Sequence, residues 1–386
     1  MHLGRFHAVV YDLNSHFIRA QLAQKLEACA TQLEQFASNR TQSQLESFRS
    51  SVDAVLSAAE LKDPDLLQPF AQQVIADMNV ADILPPAFNS SVKSAIEEKS
   101  FDPAGLVTEF RRLANVVAKK VAHVSSIDDA FTALDVEFER VGSESAEVGF
   151  LLPREVVGET LKDLTGEFNQ LSKLVRAVNE LVGAADYDPR VVTISSSWWQ
   201  VFLDLDPNQI LVWVLAIERI SNLFKSNLEI KHLQRQLGEK QVASEITELL
   251  DREIEKRVAA ALQDLAVEIR RDHAKIADDA RLNEVETQLR HGLYYLAKRM
   301  NQGAQIEINV GIPEEPNAPQ SDSDEGPPDV EFQARLAEAK ARIAKLRDLR
   351  TRARAASAET LNLDTSAHLL LTQDLHIEQQ PNGSSR

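Results

Sequence analysis

Cysteine is almost absent from the 386-residue chain, which contains only Cys29. A single cysteine cannot form a disulfide within the chain, and it excludes a zinc site built from cysteines of one chain. Cys29 falls at a core position of a predicted helix, where a small buried side chain is more common than a reactive thiol. The apolar stretch at residues 8–11 is too short for the core of a signal peptide. We therefore expect a reducing, cytoplasmic environment.

Glycine and aromatic residues are also scarce, and basic side chains are outnumbered by acidic ones. Glycine occurs 13 times and aromatic residues make up 6% of the chain, a composition that favours helices over sheets. Lysine and arginine number 42 against 59 aspartates and glutamates, which gives a formal net charge of -17. Because nucleic-acid affinity comes largely from neutralising phosphates, this balance argues against a nucleic-acid partner. The hydrophobic content of 44% is enough for at least one substantial core.

Common catalytic motifs are missing as well. The sequence contains no Walker-type phosphate loop, no GxGxxG, no HExxH, no GxSxG and no calcium loop. The serine run at residues 195–197 suggests a nucleophile, but no base stands at a diagnostic spacing, and a turn or strand edge is favoured. We therefore expect no cofactor, and an enzyme is the less favoured class of protein. Scattered catalytic residues leave no local signature, so the class is not excluded.

Helical periodicity dominates residues 1–140, which are predicted to form a helical N-terminal domain. Asn14 or Ser15 is predicted to cap the first clear helix, and a second apolar stripe at residues 45–59 predicts an antiparallel hairpin with it. Shorter helices follow up to about residue 124. The first stripe, with spacings of four and three, consists of Leu22, Leu26, Cys29, Leu33 and Phe36.

Residues 145–312 are predicted to form an α+β domain. Short apolar or alternating segments predict strands, and the alternation at residues 305–312 predicts a sheet with one buried and one wet face. Long, charged helices with narrow apolar stripes suit coiled coils, including coiled coils between chains. The predicted fold is mainly α with a small β-sheet, in which long amphipathic, coiled-coil-like helices pack on three or four strands. The predicted strands are residues 147–152, 190–194, 199–205 and 305–312, and the predicted helices are residues 161–182, 210–238, 240–273 and 282–300.

A strand-to-helix corner is predicted in the stretch SSSWWQVFLDLDPNQILVWVLAIERI. Asp206 stands at the N-cap position, Pro207 at the first helical position and Gln209 at the third, the arrangement of a capping box. The apolar run after this corner has only eight residues, whereas a membrane-spanning helix needs about 20. The corner itself is polar and belongs in water or protein. The stretch is therefore not predicted to cross a membrane.

All three tryptophans, Trp198, Trp199 and Trp213, lie in the same stretch and are candidate interface residues. They can fill the core between sheet and helix, line a protein interface, or touch the surface of a membrane. Core packing is the favoured alternative. Because Trp198 and Trp199 are neighbours on a strand, they point to opposite faces. One of them therefore needs cover from the chain's own helices, a second chain or lipid.

A group of titratable residues gives a weak candidate metal site. Glu284 and His291 are seven residues apart and can share a helix face, and imidazoles with carboxylates can hold a transition metal. Charged helix surfaces often produce such spacings, so a solvated face is favoured over a metal site. The candidate ligands are His273, Asp278, Glu284 and His291.

The composition changes near Pro313. Residues 313–331 are predicted to form an acidic disordered linker, residues 332–356 a basic amphipathic helix, and residues 357–386 a flexible tail. The helix can dock on the acidic protein or its acidic linker, bind nucleic acid or lie on an anionic membrane. Its lack of aromatic side chains apart from Phe332 disfavours nucleic acid. Its basic patch consists of Lys340, Arg342, Lys345, Arg347, Arg350, Arg352 and Arg354.

These features predict a non-enzymatic interaction or assembly protein that self-associates through its long helices and binds protein partners. The alternative is a membrane-contacting effector or accessory protein without a transmembrane helix, for example of a bacterial toxin or defence system. A metal-dependent enzyme is the least favoured function.

Overall fold

The chain divides into two compact units in a computed structural model that describes residues 2–158, 160–195, 199–238, 244–313 and 330–363. Of residues 195, 207, 227–251 and 330–335 the structure describes the backbone only. The first unit comprises Met1–Glu144, Thr193–Ser196 and Gly311–Ile343, and the second comprises Ser145–Val192, Ser197–Val310 and Ala344–Arg386.

The first unit is built mainly from helices. Helix α2 packs along α3, as the predicted hairpin requires, and α6 packs against both α1 and α2. The apolar stripe of α2 enters the core of this unit through Leu22, Leu26 and Leu33, where it meets Phe110 of α6. The helices are α1 Leu3–Ala20, α2 Leu22–Asn39, α3 Gln42–Ala59, α4 Pro69–Asp77, α5 Ala87–Glu98 and α6 Pro103–Ala133.

The predicted start of the first helix is wrong. Asn14 and Ser15 lie inside α1, and the break between helices falls at Gln21, whose φ of 49° is left-handed. The physical reason is that Asn14 is buried and donates a hydrogen bond to Asp128 instead of capping a helix. The apolar stripe on which the prediction depended, Leu22 to Phe36, lies entirely in α2, so it does not indicate where α1 begins.

The second unit contains the predicted small sheet, and the structure adds that its strands are antiparallel. The strand order is β2-β3-β1-β4, and the central strand β1 pairs with both β3 and β4. Val148 of β1 lies opposite Leu203 of β3 and Ile308 of β4. The strands are β1 Ala146–Leu152, β2 Val191–Ser195, β3 Trp199–Leu205 and β4 Gln305–Val310.

Long helices pack on one face of this sheet. Phe150 and Ile308 from the sheet share a core with Leu174 of α8, Trp213 of α9 and Leu293 of α11. The predicted mainly α fold with long helices on a small sheet is therefore confirmed. The helices of this part of the chain are α7 Arg154–Val157, α8 Leu161–Leu181, α9 Ile210–Gly238, α10 Ser244–His273, α11 Asp279–Asn301 and α12 Val330–Leu361.

The second face of the sheet is not wet, contrary to the alternation predicted for β4. Glu307 of β4 is 5% exposed and Glu147 of β1 is 4% exposed. The side-chain amide of Asn309 donates to Glu147 at 3.0 Å and to Glu307 at 2.7 Å. Carboxylates can be buried only where hydrogen bonds replace water, and Asn309 supplies such bonds.

The corner before α9 forms at the predicted place by a different set of bonds. The Asp206 carboxylate accepts from the backbone N–H of Asn208 at 2.8 Å and from its side-chain amide at 2.7 Å. A 3-10 turn, Pro207–Gln209, precedes α9, and Gln209 is buried. The predicted capping box is therefore wrong, because Gln209 is turned into the protein and Asn208 takes the place beside Asp206.

Candidate interaction site

The basic helix α12 docks on the second unit through its apolar side. Leu346 and Leu349 are half-buried against the core of this unit, and Ala353 and Ala356 are buried in it. The helix runs to Leu361, past residue 356, so the first residues of the predicted flexible tail are helical.

Two hydroxyl groups of α12 hydrogen-bond to the backbone of β4. The N–H of Ile308 donates to Ser357 Oγ at 2.9 Å, and the N–H of Ile306 donates to Thr360 Oγ1 at 3.3 Å. Ser357 in turn donates to the Ala353 carbonyl at 2.8 Å, so its hydroxyl group both accepts and donates a hydrogen bond. Strand β4 is the last strand of the described sheet on this side. The helix thus satisfies N–H groups that an uncovered edge strand leaves open to another chain.

Sequence reasoning missed this contact, because Ser357 and Thr360 were placed in a tail. The available signal was their spacing of three, which puts them on one helix face next to Ala353 and Ala356.

The basic patch of α12 is partly engaged by carboxylates. Arg352 lies 3.2 Å from Glu218 of α9, and Lys225 of α9 lies 3.2 Å from Glu359 of α12. Within the first unit, Arg342 lies 3.0 Å from Glu144. The remaining patch residues differ in their surroundings: Arg347, Arg350 and Arg354 also have interaction partners, and Lys340 and Lys345 are exposed. The patch is therefore not a uniform free basic surface.

The tryptophans occupy different environments. Trp213 is 1% exposed and contacts Phe150 edge to face, with ring centroids 5.6 Å apart and an interplanar angle of 72°. Trp213 therefore packs in the core, the favoured one of the three alternatives, because almost none of its side chain reaches the surface. Trp199 is half-buried in a small cluster with Leu152 and Val157. Trp198 lies outside the described residues, and an interface role of Trp198 or Trp199 stays a prediction.

The candidate metal ligands are not brought together. Asp278 caps α11 by accepting the Arg281 N–H at 2.9 Å, and Glu284 accepts from the Arg281 guanidinium at 2.6 Å. Burial and then the charges of Arg290 and Lys173 lower the pKa of His291. Across the part of the chain that the structure describes, no group of three or more histidine, cysteine, aspartate or glutamate side chains has the geometry of a metal site. His273 ends α10.

A buried polar network in the first unit was also missed by sequence reasoning. Asn14 of α1 donates to Asp128 of α6 at 2.8 Å, and His7 Nδ1 donates to the Val136 carbonyl at 2.6 Å. His7 Nε2 lies 3.4 Å from the second oxygen of Asp128. The spacing of seven between His7 and Asn14 is the one sequence signal that they share a face of α1. The network connects α1 to α6 and the segment that follows α6.

A second polar cluster links α8 and α11. Glu167 is 7% exposed and accepts from Tyr295 Oη at 2.5 Å and from Arg299 Nε at 3.0 Å. The Arg299 Nη2 donates to the other carboxylate oxygen, and the guanidinium lies 5.5 Å from the centroid of the Tyr295 ring. Burial and then the charge of Glu167 raise the pKa of Tyr295, which therefore stays a donor. Both carboxylate oxygens of Glu167 accept hydrogen bonds from α11, so this cluster, the clamp between α8 and α11, links the two helices.

No described helix combines the length and the low polarity that crossing a membrane requires. No protein-family model, curated protein or solved structure matches this chain.

Proposed function

We propose that this protein is a non-enzymatic assembly protein that associates with a second copy through the helical hairpin formed by α9 and α10. The observation that supports it is the length of these helices, which have 29 and 30 residues against 21 for α8 and 23 for α11. At about 1.5 Å per residue, α9 and α10 are roughly 9 to 14 Å longer than α8 and α11.

The backbones of α9 and α10 extend beyond the parts of these helices whose side chains the structure describes. Helix α9 runs to Gly238, 12 residues past Ser226, which is about 18 Å of helix. Helix α10 begins at Ser244, eight residues before Arg252. Helices of this kind need a partner when their outer ends carry apolar stripes.

The sequence continues the apolar spacing of three and four into these outer ends. Because a narrow stripe on a charged helix is typical of coiled coils, a second hairpin of the same sequence is a fitting partner. The stripe positions of the outer ends are Ile230, Leu233, Leu237, Ile246 and Leu250.

Light scattering coupled to size-exclusion chromatography tests this proposal. The expected mass is a multiple of the 43.0 kDa chain at micromolar concentration, falling to one chain in a variant with Leu233→Asp and Ile246→Asp. A matched control with Gln234→Asp and Thr247→Asp adds the same charge at polar positions and keeps the oligomer. A wild-type mass of one chain across the micromolar range contradicts the proposal.

A further inference from the structure

We infer that the part of α12 in the second unit is a reversible cover of the β4 edge, which detaches when its ion pairs to α9 are screened or reversed. In the docked state, the hydroxyl groups of Ser357 and Thr360 receive the N–H groups of Ile308 and Ile306. Inside an antiparallel sheet, such N–H groups donate to a neighbouring strand, which an edge strand lacks on its outer side.

The apolar contact that holds α12 consists of two buried alanines, Ala353 and Ala356, and two half-buried leucines, Leu346 and Leu349. Helix α8 buries Leu171 and Leu174 fully in the same core. Because hydrophobic stabilisation grows with the apolar area removed from water, half-buried leucines contribute less than fully buried ones. The docked state of α12 thus depends on its polar contacts as well.

The ion pairs that accompany docking respond to salt. Arg352 and Glu218 are 44% and 32% exposed, and Lys225 and Glu359 are 50% and 35% exposed. Pairs with this exposure are screened by dissolved ions and are individually weak. Raising the ionic strength therefore weakens the attachment of α12 to α9.

The chain length before α12 permits its release. Sixteen residues, 314–329, separate the described segments that contain β4 and α12, and an extended chain of this length reaches about 54 Å. These residues include six acids and no base, which gives the basic helix an alternative electrostatic partner close by in sequence. Release leaves the Ile306 and Ile308 N–H groups open to water.

Hydrogen exchange followed by mass spectrometry tests the inference on the full chain. We expect a variant with Lys225→Glu and Arg352→Glu to speed exchange of the β4 peptide about tenfold, as the loss of two partly exposed ion pairs implies, while the β1 peptide is unchanged. Adding Glu218→Arg and Glu359→Lys restores opposite charges and slows exchange again. The control variant, Lys340→Glu with Lys345→Glu, changes the same charge at exposed positions of α12 and leaves β4 protected.

The wild-type protein gives an independent measurement if the charge-reversed variant is unfolded by circular dichroism. Exchange of the β4 peptide then has to rise with sodium chloride between 0.05 and 0.5 M, again without a change in β1. Exchange of β4 that always accompanies exchange of β1, or that is insensitive to both charge reversal and salt, overturns the inference and makes α12 a permanent part of the fold.

Discussion

The backbone N–H of Ile308 donates to the side-chain hydroxyl of Ser357 at 2.9 Å, across a sequence separation of 49 residues. Replacing Ser357 with alanine leaves this buried N–H without its acceptor. We expect Ser357→Ala to lower the free energy of unfolding by about 1–3 kcal/mol, measured by urea denaturation. In the control Thr351→Ala, the lost hydroxyl is exposed and donates only within α12, so the change should stay within about 0.5 kcal/mol. Equal effects of the two substitutions would show that the Ile308 bond contributes nothing specific.

Two glycines on neighbouring helices should respond to alanine with opposite signs. A Cβ added at Gly292 of α11 meets Leu174 Cδ1 at 2.5 Å, and Leu174 is buried. We expect Gly292→Ala to destabilise the protein by about 1–3 kcal/mol through overpacking. A Cβ at the exposed Gly166 of α8 meets nothing within 4 Å, so Gly166→Ala should stabilise by about 0.5–1 kcal/mol through helix propensity. Thermal or urea unfolding of both variants checks the difference in sign, and a loss of stability in both contradicts it.

The helices and strands that bury an apolar face could be predicted from the sequence, because the spacing of their apolar residues indicates which side chains are buried. Leu171, Leu174 and Val178 of α8 are spaced by three and four and are all in the core. The spacing of polar residues does not indicate whether they are buried, since their burial depends on partners far away in the chain. Asn14 was predicted to cap a helix and Glu307 to face water, and both are buried.

The contact between α12 and β4 could be predicted only in part for the same reason. The basic patch was visible as a run of charges, whereas the roles of Ser357 and Thr360 depend on two N–H groups of β4. Only the tertiary structure places those N–H groups opposite the hydroxyls. A spacing of three between two hydroxyl residues is far too common to predict such a contact by itself.

His16 should make the stability depend on pH. Burial and then the charge of Arg19 lower its pKa from 6.5, and Asp63 acts in the opposite direction. The unfolded chain therefore binds a proton more readily at this residue, so the free energy of unfolding falls as the pH drops through 6.5 and below. We expect His16→Gln to reduce the loss of stability between pH 7 and pH 5 in urea denaturation. The control His123→Gln changes an exposed imidazole and keeps the wild-type pH dependence, and an unchanged slope for His16→Gln contradicts the prediction.

Cys29 should be unreactive until the first unit unfolds. Its side chain is buried, and burial raises the pKa of the thiol, with a smaller opposing effect of a hydrogen bond to Ser51. Because the thiolate is the reacting species, we expect Ellman's reagent to react on the order of 100-fold more slowly with the native protein than with protein in urea. Titration in urea should give one thiol per chain. Rapid reaction of the native protein at pH 8 would show that α2 opens locally.

Glu167 and Arg299 offer a double-mutant test of the clamp between α8 and α11. Their side chains are 9% and 16% exposed, and removing one partner leaves a charge buried without its counter-ion. We expect Arg299→Met to destabilise the protein by about 3–5 kcal/mol, measured by urea denaturation. Adding Glu167→Met to this variant removes the uncompensated carboxylate and should recover part of the loss. Two apolar side chains then replace the pair, while the Tyr295 hydroxyl loses its acceptor. Additive losses in the double variant would instead mean that packing, and not the charge of Glu167, sets the cost.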